Sequence, residues 1–222
     1  MKAKQPLLRL STHGGARPGA GRPKTNGSGV AHRARKEIDA RYPAHVTLKL
    51  LAGVRSLRSP ALLPVLEAAF AEGCRQEGFR VVHYSIQSDH IHLVVEADDS
   101  GSLGRGMQGL GIRIARRLNA ALGRTGRLFG DRYHARVLRT PKEVRVVLNY
   151  VLNNAMLHAR RAGGTAPTFV DPYSSGRFFD GWRDVEHVPH VAPGSLRTVA
   201  RPRSWLLRVG WRRHGLLSTG DW

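Results

Sequence analysis

Asp89-His90-Ile91-His92-Leu93-Val94-Val95-Glu96 is the stretch from which the rest of the chain can be read. Its β-branched and aliphatic residues suit an extended strand, where successive side chains point to opposite faces. His90 and His92 then share one face, while Ile91, Leu93 and Val95 share the other and call for a core to cover them. Two imidazoles about 7 Å apart along one pleat can converge on a single cation. An alternating pair of histidines is equally at home as ordinary polar decoration of a sheet. The residues around it have to decide between the two.

Upstream, Arg80 to Ile86 is β-branched and aromatic and Gln87-Ser88 reads as a turn, so a hairpin places the histidines on a central strand. Further back, Leu62, Leu63, Leu66, Ala69, Phe70 and Cys74 recur at helical spacing. That helix is predicted to begin at Pro60 and stop at Gly78, with Pro64 tolerable only in its first turn. His45-Val46-Thr47-Leu48-Lys49-Leu50-Leu51 predicts an earlier strand. Downstream, Leu103, Met107, Leu110, Ile114, Leu118 and Ala121 step by three and four, which argues a helix despite its glycines. Arg132 to Leu138 predicts another strand, and Thr140-Pro141-Lys142-Glu143 opens a last helix whose buried stripe is Val144, Leu148, Val151 and Ala155.

The order β-α-β-β-α-β-α implies an α+β fold: a ferredoxin-like split β-α-β core with an antiparallel sheet and an extra C-terminal helix. That helix carries Tyr150. Tyr150 and Asn154 are four residues apart on it and therefore lie one above the other, on the flank of the apolar stripe.

The chain has 222 residues, enough for one domain with a sizeable core. Lys and Arg number 36 against 16 Asp and Glu, a formal charge of +20. Arginine dominates the cations, and its guanidinium fork suits phosphates and base edges, so nucleic acid is the expected partner rather than a membrane surface. A generally basic, ribosome-like protein would carry the same charge. No apolar run reaches the eighteen or so residues of a membrane span, and Met1 to Gly15 lacks the apolar centre of a signal peptide, so a cytoplasmic, nucleoid-associated protein is expected. The single cysteine, Cys74, reads as packing.

Three segments are expected. Residues 1–40 hold nine Lys/Arg against two acids and little apolar material, which implies a disordered basic DNA-binding arm. Arg17, Arg22 and Lys24 are its candidate DNA contacts. Gly21-Arg22-Pro23-Lys24 resembles an AT-hook, implying an Arg22 contact in the minor groove, although Ala20 stands where AT-hooks carry a further arginine. A sequence-blind electrostatic tether is the alternative. Residues 41–160 form the folded domain. In it Arg105, Arg113, Arg116 and Arg117 lie off the apolar stripe of their helix, either as a phosphate track or as a solvated face, and Arg132 is a further candidate contact. Residues 161–222 form a basic extension with no long period, but Trp182, Trp205, Trp211 and Trp222 are too many for an unstructured tail. Part of it should pack.

Asp89-His90-Ile91-His92-Leu93 followed by Asn149-Tyr150-Val151-Leu152-Asn153-Asn154 resembles the single-tyrosine HUH transposases, in particular the REP-associated tyrosine transposases. Leu128-Phe129-Gly130-Asp131-Arg132-Tyr133-His134 and the Gly-Arg-Pro arm resemble the same subgroup, and the likeness spans about Ala44 to Ala159. Ser88 replaces the usual proline before the histidine motif, and Ala155-Met156 replaces the usual Pro-Val after Asn154.

The resemblance implies metal-dependent cleavage and rejoining of single-stranded DNA at hairpin-forming repeats, with His90, His92 and Asn154 as metal ligands and Tyr150 as nucleophile. It implies a 5′-phosphotyrosine intermediate and favours a monomer over a homodimer. Two imidazoles and an amide oxygen suit Mg²⁺ or Mn²⁺, with Zn²⁺ also compatible by ligand type. A divalent cation neutralises charge on a phosphodiester, and a tyrosine, with a reference pKa of about 10, needs a nearby cation or base to attack at neutral pH. Tyr133 is the competing nucleophile. A histidine-triad hydrolase needs a third alternating histidine, and a phosphoesterase of paired His-x-Ser/Thr motifs needs a hydroxyl two residues after His92; both positions fall on Val94. The remaining rival is a catalytically inactive, domesticated hairpin-binding protein.

Overall fold

A computed structural model describes residues 37–156, 163, 169–184, 186, 188–192 and 194–219. Its elements are β1 (Ala44–Lys49), α1 (Leu63–Gly73), β2 (Arg75–Gln76), β3 (Phe79–Ile86), β4 (His90–Ala97), α2 (Ser100–Ala121), β5 (His134–Val137) and α3 (Pro141–Leu152). After them come a 3₁₀ turn at Ser175–Phe178, a short helix α4 (Trp205–Arg208) and a second 3₁₀ turn at Gly210–His214. The strands order as β2-β3-β4-β1-β5, every pair antiparallel. β4 therefore splits the mutually parallel β1 and β3, and β1 splits β4 and β5. This is the expected ferredoxin-like α+β core, with α3 added after the last strand.

Several boundaries follow from local chemistry. α1 starts at Leu63, later than Pro60, and Pro64 sits in its first turn, where a missing N–H leaves no hydrogen bond unmade. It ends at Gly73, and the chain turns at once into the two-residue strand β2, which the sequence pattern does not predict. α2 is capped by the Asp99 carboxylate, which accepts from the Ser102 N–H at 2.7 Å. Its Gly106 lies against the ring of Phe79, where a Cβ would come within 2.1 Å of the ring. That close approach of α2 to β3 explains one glycine in an otherwise regular helix. α3 opens with a full capping box between Thr140 and Glu143 and has Pro141 in its first turn.

The sheet buries both faces. On one, Ile91, Leu93 and Val95 of β4 join Phe79, Val81, Leu66, Phe70, Leu103 and Leu110 in a core under α1 and α2. On the other, Val94 and Val82 meet Val144, Leu148 and Val151 of α3. Trp182, Leu206, Leu207, Trp211 and Leu217 complete this second core, so the C-terminal segment packs on the sheet. Trp205 is 48% exposed, and Trp222 lies outside the described residues. Two polar ties hold the segment down. Arg58 makes a two-pronged ion pair with the buried Asp171, at 2.9 Å for each prong, while its guanidinium lies 4.4 Å from the Tyr173 ring centre. Glu96, buried at the end of β4, accepts from the backbone N–H groups of Arg203 and Ser204, each at 2.8 Å.

α3 closes earlier than the sequence stripe predicts. Its last residue is Leu152; Asn153 takes a turn conformation (φ −104°, ψ 11°), and helical conformation resumes at Asn154. The Asn153 amide donates to Asn149 Oδ1 at 2.8 Å and to the Ser218 carbonyl at 2.9 Å. Such side-chain bonds favour a cap over continuation. Tyr150 and Asn154 are therefore not on one unbroken helix, which corrects the stacked arrangement expected of them.

Candidate active site

β4 pairs with β1 so that Thr47 stands opposite His92 and Lys49 opposite His90; on the other side Ser85 of β3 stands opposite His92. The hairpin tip before His90 is held by the Gln87 N–H donating to the His90 carbonyl, and by the Asp89 and Ser88 carbonyls accepting from Leu50 and Leu57. With the tip fixed, the alternation of β4 sends His90, His92, Val94 and Glu96 to the α3 side and the aliphatic residues to the α1–α2 side.

On that face His90 Nε2 and His92 Nε2 lie 3.0 Å apart. His90 Nδ1 is 2.7 Å from the Asp89 carboxylate, which accepts its proton and leaves the Nε2 lone pair bare. This bond to His90 is also the main reason the Asp89 carboxyl is held below the usual carboxylate range. His92 is 5% exposed, and its Nδ1 is 3.2 Å from both Thr47 Oγ1 and His45 Nε2. With the Nδ1 proton given to either partner, His92 also presents a bare Nε2. In that tautomer two lone pairs face each other, and a cation held between them would relieve their repulsion. Their 3.0 Å separation matches the roughly 3 Å expected between adjacent ligands of an octahedral ion with metal–ligand distances near 2.1 Å.

Tyr150, half-buried on α3, brings its hydroxyl to 3.2 Å from His92 Nε2. Its ring meets those of His92 and His45 edge-on, with centres 5.0 and 5.9 Å apart. The tyrosine and both histidines thus share one cluster. Tyr133, the competing nucleophile, packs instead against the core on the opposite face of the sheet.

Among the described residues, no group of three or more His, Cys, Asp or Glu side chains could hold a metal ion. A third protein ligand would have to come from another residue type. Asn154 is fully buried, and neither its amide oxygen nor its nitrogen has a hydrogen-bond partner. A buried amide without partners costs roughly 1–3 kcal/mol for each polar group left unpaired. A cation taking the oxygen would relieve part of that cost. In donor chemistry, His90, His92 and Asn154 fit a divalent ion.

Three contributors escaped the sequence reading. His45 and Thr47 look like polar positions of a half-buried strand, and only the register with β4 reveals that both address His92. Burial, reinforced by the charges of His134 and Arg136, pushes the pKa of His45 down to about 4, so it is neutral at physiological pH. It can orient His92 without adding charge. Asp89, given no role in the sequence reading, fixes the proton of His90.

The candidate DNA contacts are dispersed. Arg105, Arg113, Arg116 and Arg117 belong to α2, on the sheet face opposite the histidines; Arg117 pairs with Glu72 of α1, and Arg105 donates to Ser102 Oγ at 3.1 Å. Arg132 is exposed just before β5. Arg17, Arg22 and Lys24 lie outside the described residues. No helix among the described residues is long and apolar enough to cross a membrane.

A split β-α-β sheet with two strand histidines facing one helix tyrosine is the arrangement that the sequence resemblance leads one to expect. Residues 54–154, which span both histidines, Tyr150 and Asn154, match the family described as "Transposase IS200 like". Among solved structures, a REP-associated tyrosine transposase bound to a REP hairpin is similar over 79% of this chain and 100% of its own, at 17% identity and a TM-score of 0.50. A protein of Deinococcus radiodurans R1 described as a transposase is similar over 62% of this chain and 98% of its own, at 14% identity and a TM-score of 0.38. No curated protein matches the chain.

Proposed function

We propose that the chain is a metal-dependent single-stranded DNA endonuclease and strand transferase that acts at hairpin-forming repeats through Tyr150. The observation that carries this reading is the placement of the Tyr150 hydroxyl 3.2 Å from a histidine nitrogen that itself lies 3.0 Å from a second one. A phenol attacking a phosphodiester needs its proton removed and the phosphate oriented, and this cluster offers groups for both.

In the reaction the Tyr150 oxygen forms a bond to phosphorus as the bond from phosphorus to the 3′ oxygen breaks. The phenol proton goes to a neighbouring base or water, and the departing 3′ oxygen takes up a proton to become a hydroxyl. The product is a 5′-phosphotyrosine, and the 3′-hydroxyl of a second strand can reverse the step without ATP because the phosphodiester energy is retained. His90, His92 and Asn154 would hold Mg²⁺ or Mn²⁺, which supplies charge neutralisation at the phosphate. Asp89, Thr47 and His45 keep the histidines in the ligating tautomer. Exposed arginines, Arg132 among them, and the basic segment containing Arg17, Arg22 and Lys24 would engage the phosphates of the hairpin.

The test is incubation of purified protein with end-labelled hairpin DNA carrying a single-stranded flank, with Mn²⁺. A covalent protein–DNA adduct is expected, and none from Tyr150→Phe. An adduct from the mutant at the wild-type rate, or hairpin binding with no adduct on any flank, overturns the reading; the latter is the behaviour of a non-cutting hairpin binder. Asn154→Ala should lose the adduct at low Mn²⁺ and regain it at high Mn²⁺.

A further inference from the structure

β4 carries the histidines at one end and Glu96 at the other, both on the α3 side. Beyond Glu96 a cavity of about 550 Å³ opens between the start of α3 and α4. Ala97 and Leu206 contribute apolar lining, and Tyr42 and Trp205 contribute aromatic lining. Four guanidiniums line it, from Arg41, Arg80, Arg139 and Arg203, against two carboxylates, from Glu96 and Asp98.

Of the two carboxylates, Glu96 is already committed. It is bonded to the backbone of Arg203 and Ser204 and lies 3.6 Å from the Arg80 guanidinium. Arg80 is buried, and burial first, then the nearby Arg203 charge, depresses its pKa, a sign that like charges are crowded here. The guanidiniums of Arg41 and Arg139 both lie over the Tyr42 ring, at 5.3 and 5.1 Å from its centre. Arg41 is taken by Asp39. Arg139 and Arg203 are exposed and form no ion pair with a described acid.

We propose that this cavity binds one unpaired nucleotide of the DNA strand, its base against Tyr42 and Trp205 and its phosphate on Arg139 and Arg203. The proposal rests on the nuclease reading only in taking the nucleotide to belong to the substrate strand. Aromatic rings combined with arginine planes are the chemistry that holds unstacked bases without a duplex. The volume exceeds that of a lone phosphate and falls in the range of small-ligand sites. Position links it to the chemistry: Pro141 at the cavity and Tyr150 at the histidines are nine residues apart on α3, about 13 Å of helix. At a stacked rise of 3.4 Å per nucleotide, one strand crosses that gap in about four nucleotides. The cavity would thus read a base a few positions from the cleaved phosphate.

The experiment uses the full chain and a labelled hairpin with a single-stranded flank in which 5-iodouracil replaces one base at a time. Irradiation should crosslink one flank position to Tyr42 or Trp205, mapped by peptide mass spectrometry, in wild type and in Tyr150→Phe alike. Affinity for the flanked hairpin should fall at least about fivefold in Trp205→Leu and in Arg139→Ala/Arg203→Ala, while affinity for the blunt hairpin changes less. Crosslinks mapping only elsewhere, or equal affinity losses for flanked and blunt DNA, overturn the proposal. So does protection of the cavity by an acidic peptide and not by an oligothymidylate. If no Tyr150 adduct ever forms yet the crosslink and the selective loss persist, the nuclease reading fails and the nucleotide site stands. If the adduct forms and the arginine variants bind normally, the reverse holds.

Discussion

The two faces of one sheet do different work here. Under α1 and α2, β4 presents Ile91, Leu93 and Val95 to a dry aliphatic and aromatic core. Under α3 and the C-terminal segment, the intervening residues of the same strand are His90, His92, Val94 and Glu96, and only Val94 belongs to the apolar cluster. Past His90, which is half-buried at the hairpin end, burial is nearly complete on this side too, with His92 and Glu96 each 5% exposed. Buried polar groups must be paired, so the second face is organised by directed bonds: Asp89 to His90, Thr47 and His45 to His92, backbone N–H groups to Glu96. One face contributes stability through area, and the other holds reactive groups in fixed orientations.

Substitutions of similar size should therefore separate the faces. The largest effect is expected from Tyr150→Phe, which removes a single oxygen from the polar face. Adduct formation should fall by at least about 10⁴-fold, the scale for loss of a nucleophile, with a nearly unchanged thermal midpoint. On the opposite face, Leu93→Ala empties part of the aliphatic core at a fully buried position. It should cost about 3 kcal/mol in urea unfolding while leaving adduct formation by the folded fraction intact. A large loss of stability in the first, or of chemistry in the second, would break the division between the faces.

This division was legible in part. The alternation of Ile91, Leu93 and Val95 against His90 and His92 is a period-two pattern, and the helical stripes of α2 and α3 are strong, so the element order and the face of each histidine could be read directly. What escaped depends on distant partners. β2 is two residues long, too short for any period. His45 and Thr47 act on a histidine 45 or more residues away, and only register reveals that. The end of α3 is set by the Asn153 amide reaching the Ser218 carbonyl, a partner 65 residues on, so the stripe alone runs the helix past its true end. Among the described residues the C-terminal segment is built of 3₁₀ turns and one four-residue helix, pinned by Asp171 and Glu96 rather than by a continuous apolar stripe. Arginines that share one side of α2 look alike in sequence, yet Arg117 is committed to Glu72.

A third test sharpens the comparison through pH, because the buried histidines, His83 and His92, lie on the polar face. His83 is buried beside Ser175 and Phe179, and burial pushes its pKa down to about 3. In the unfolded chain a histidine titrates near 6.5. The unfolded state therefore binds more protons between those values, and the contribution of neutral His83 is complete above about pH 6.5 and erodes as the pH falls toward 3. At pH 5 the loss amounts to about 2 kcal/mol. Urea unfolding of wild type and His83→Gln at pH 7 and pH 5 measures it. The mutant should lose less stability between the two pH values, and equal losses would mean that His83 protonates in the folded protein without cost.

The smallest effect should come from Thr47→Val, a change of nearly equal volume that removes one hydroxyl from the polar face. Two groups address His92 Nδ1 at the same distance, so the question is which of them fixes its proton. If the nitrogen donates to the threonine oxygen, the variant leaves His92 with the His45 nitrogen as its partner, and a wrong tautomer becomes accessible that turns a proton rather than a lone pair toward His90. Loss of an orienting partner to a ligating histidine typically weakens metal binding by ten- to a hundred-fold. Because His45 still supports the ring, the lower end, about tenfold, is expected for Mn²⁺ titrated by electron paramagnetic resonance, with a stability change within about 1 kcal/mol. Unchanged Mn²⁺ affinity in Thr47→Val together with a tenfold loss in His45→Leu would assign the orienting bond to His45 instead. Its neutrality, imposed by burial, would then be what keeps His92 available as a ligand.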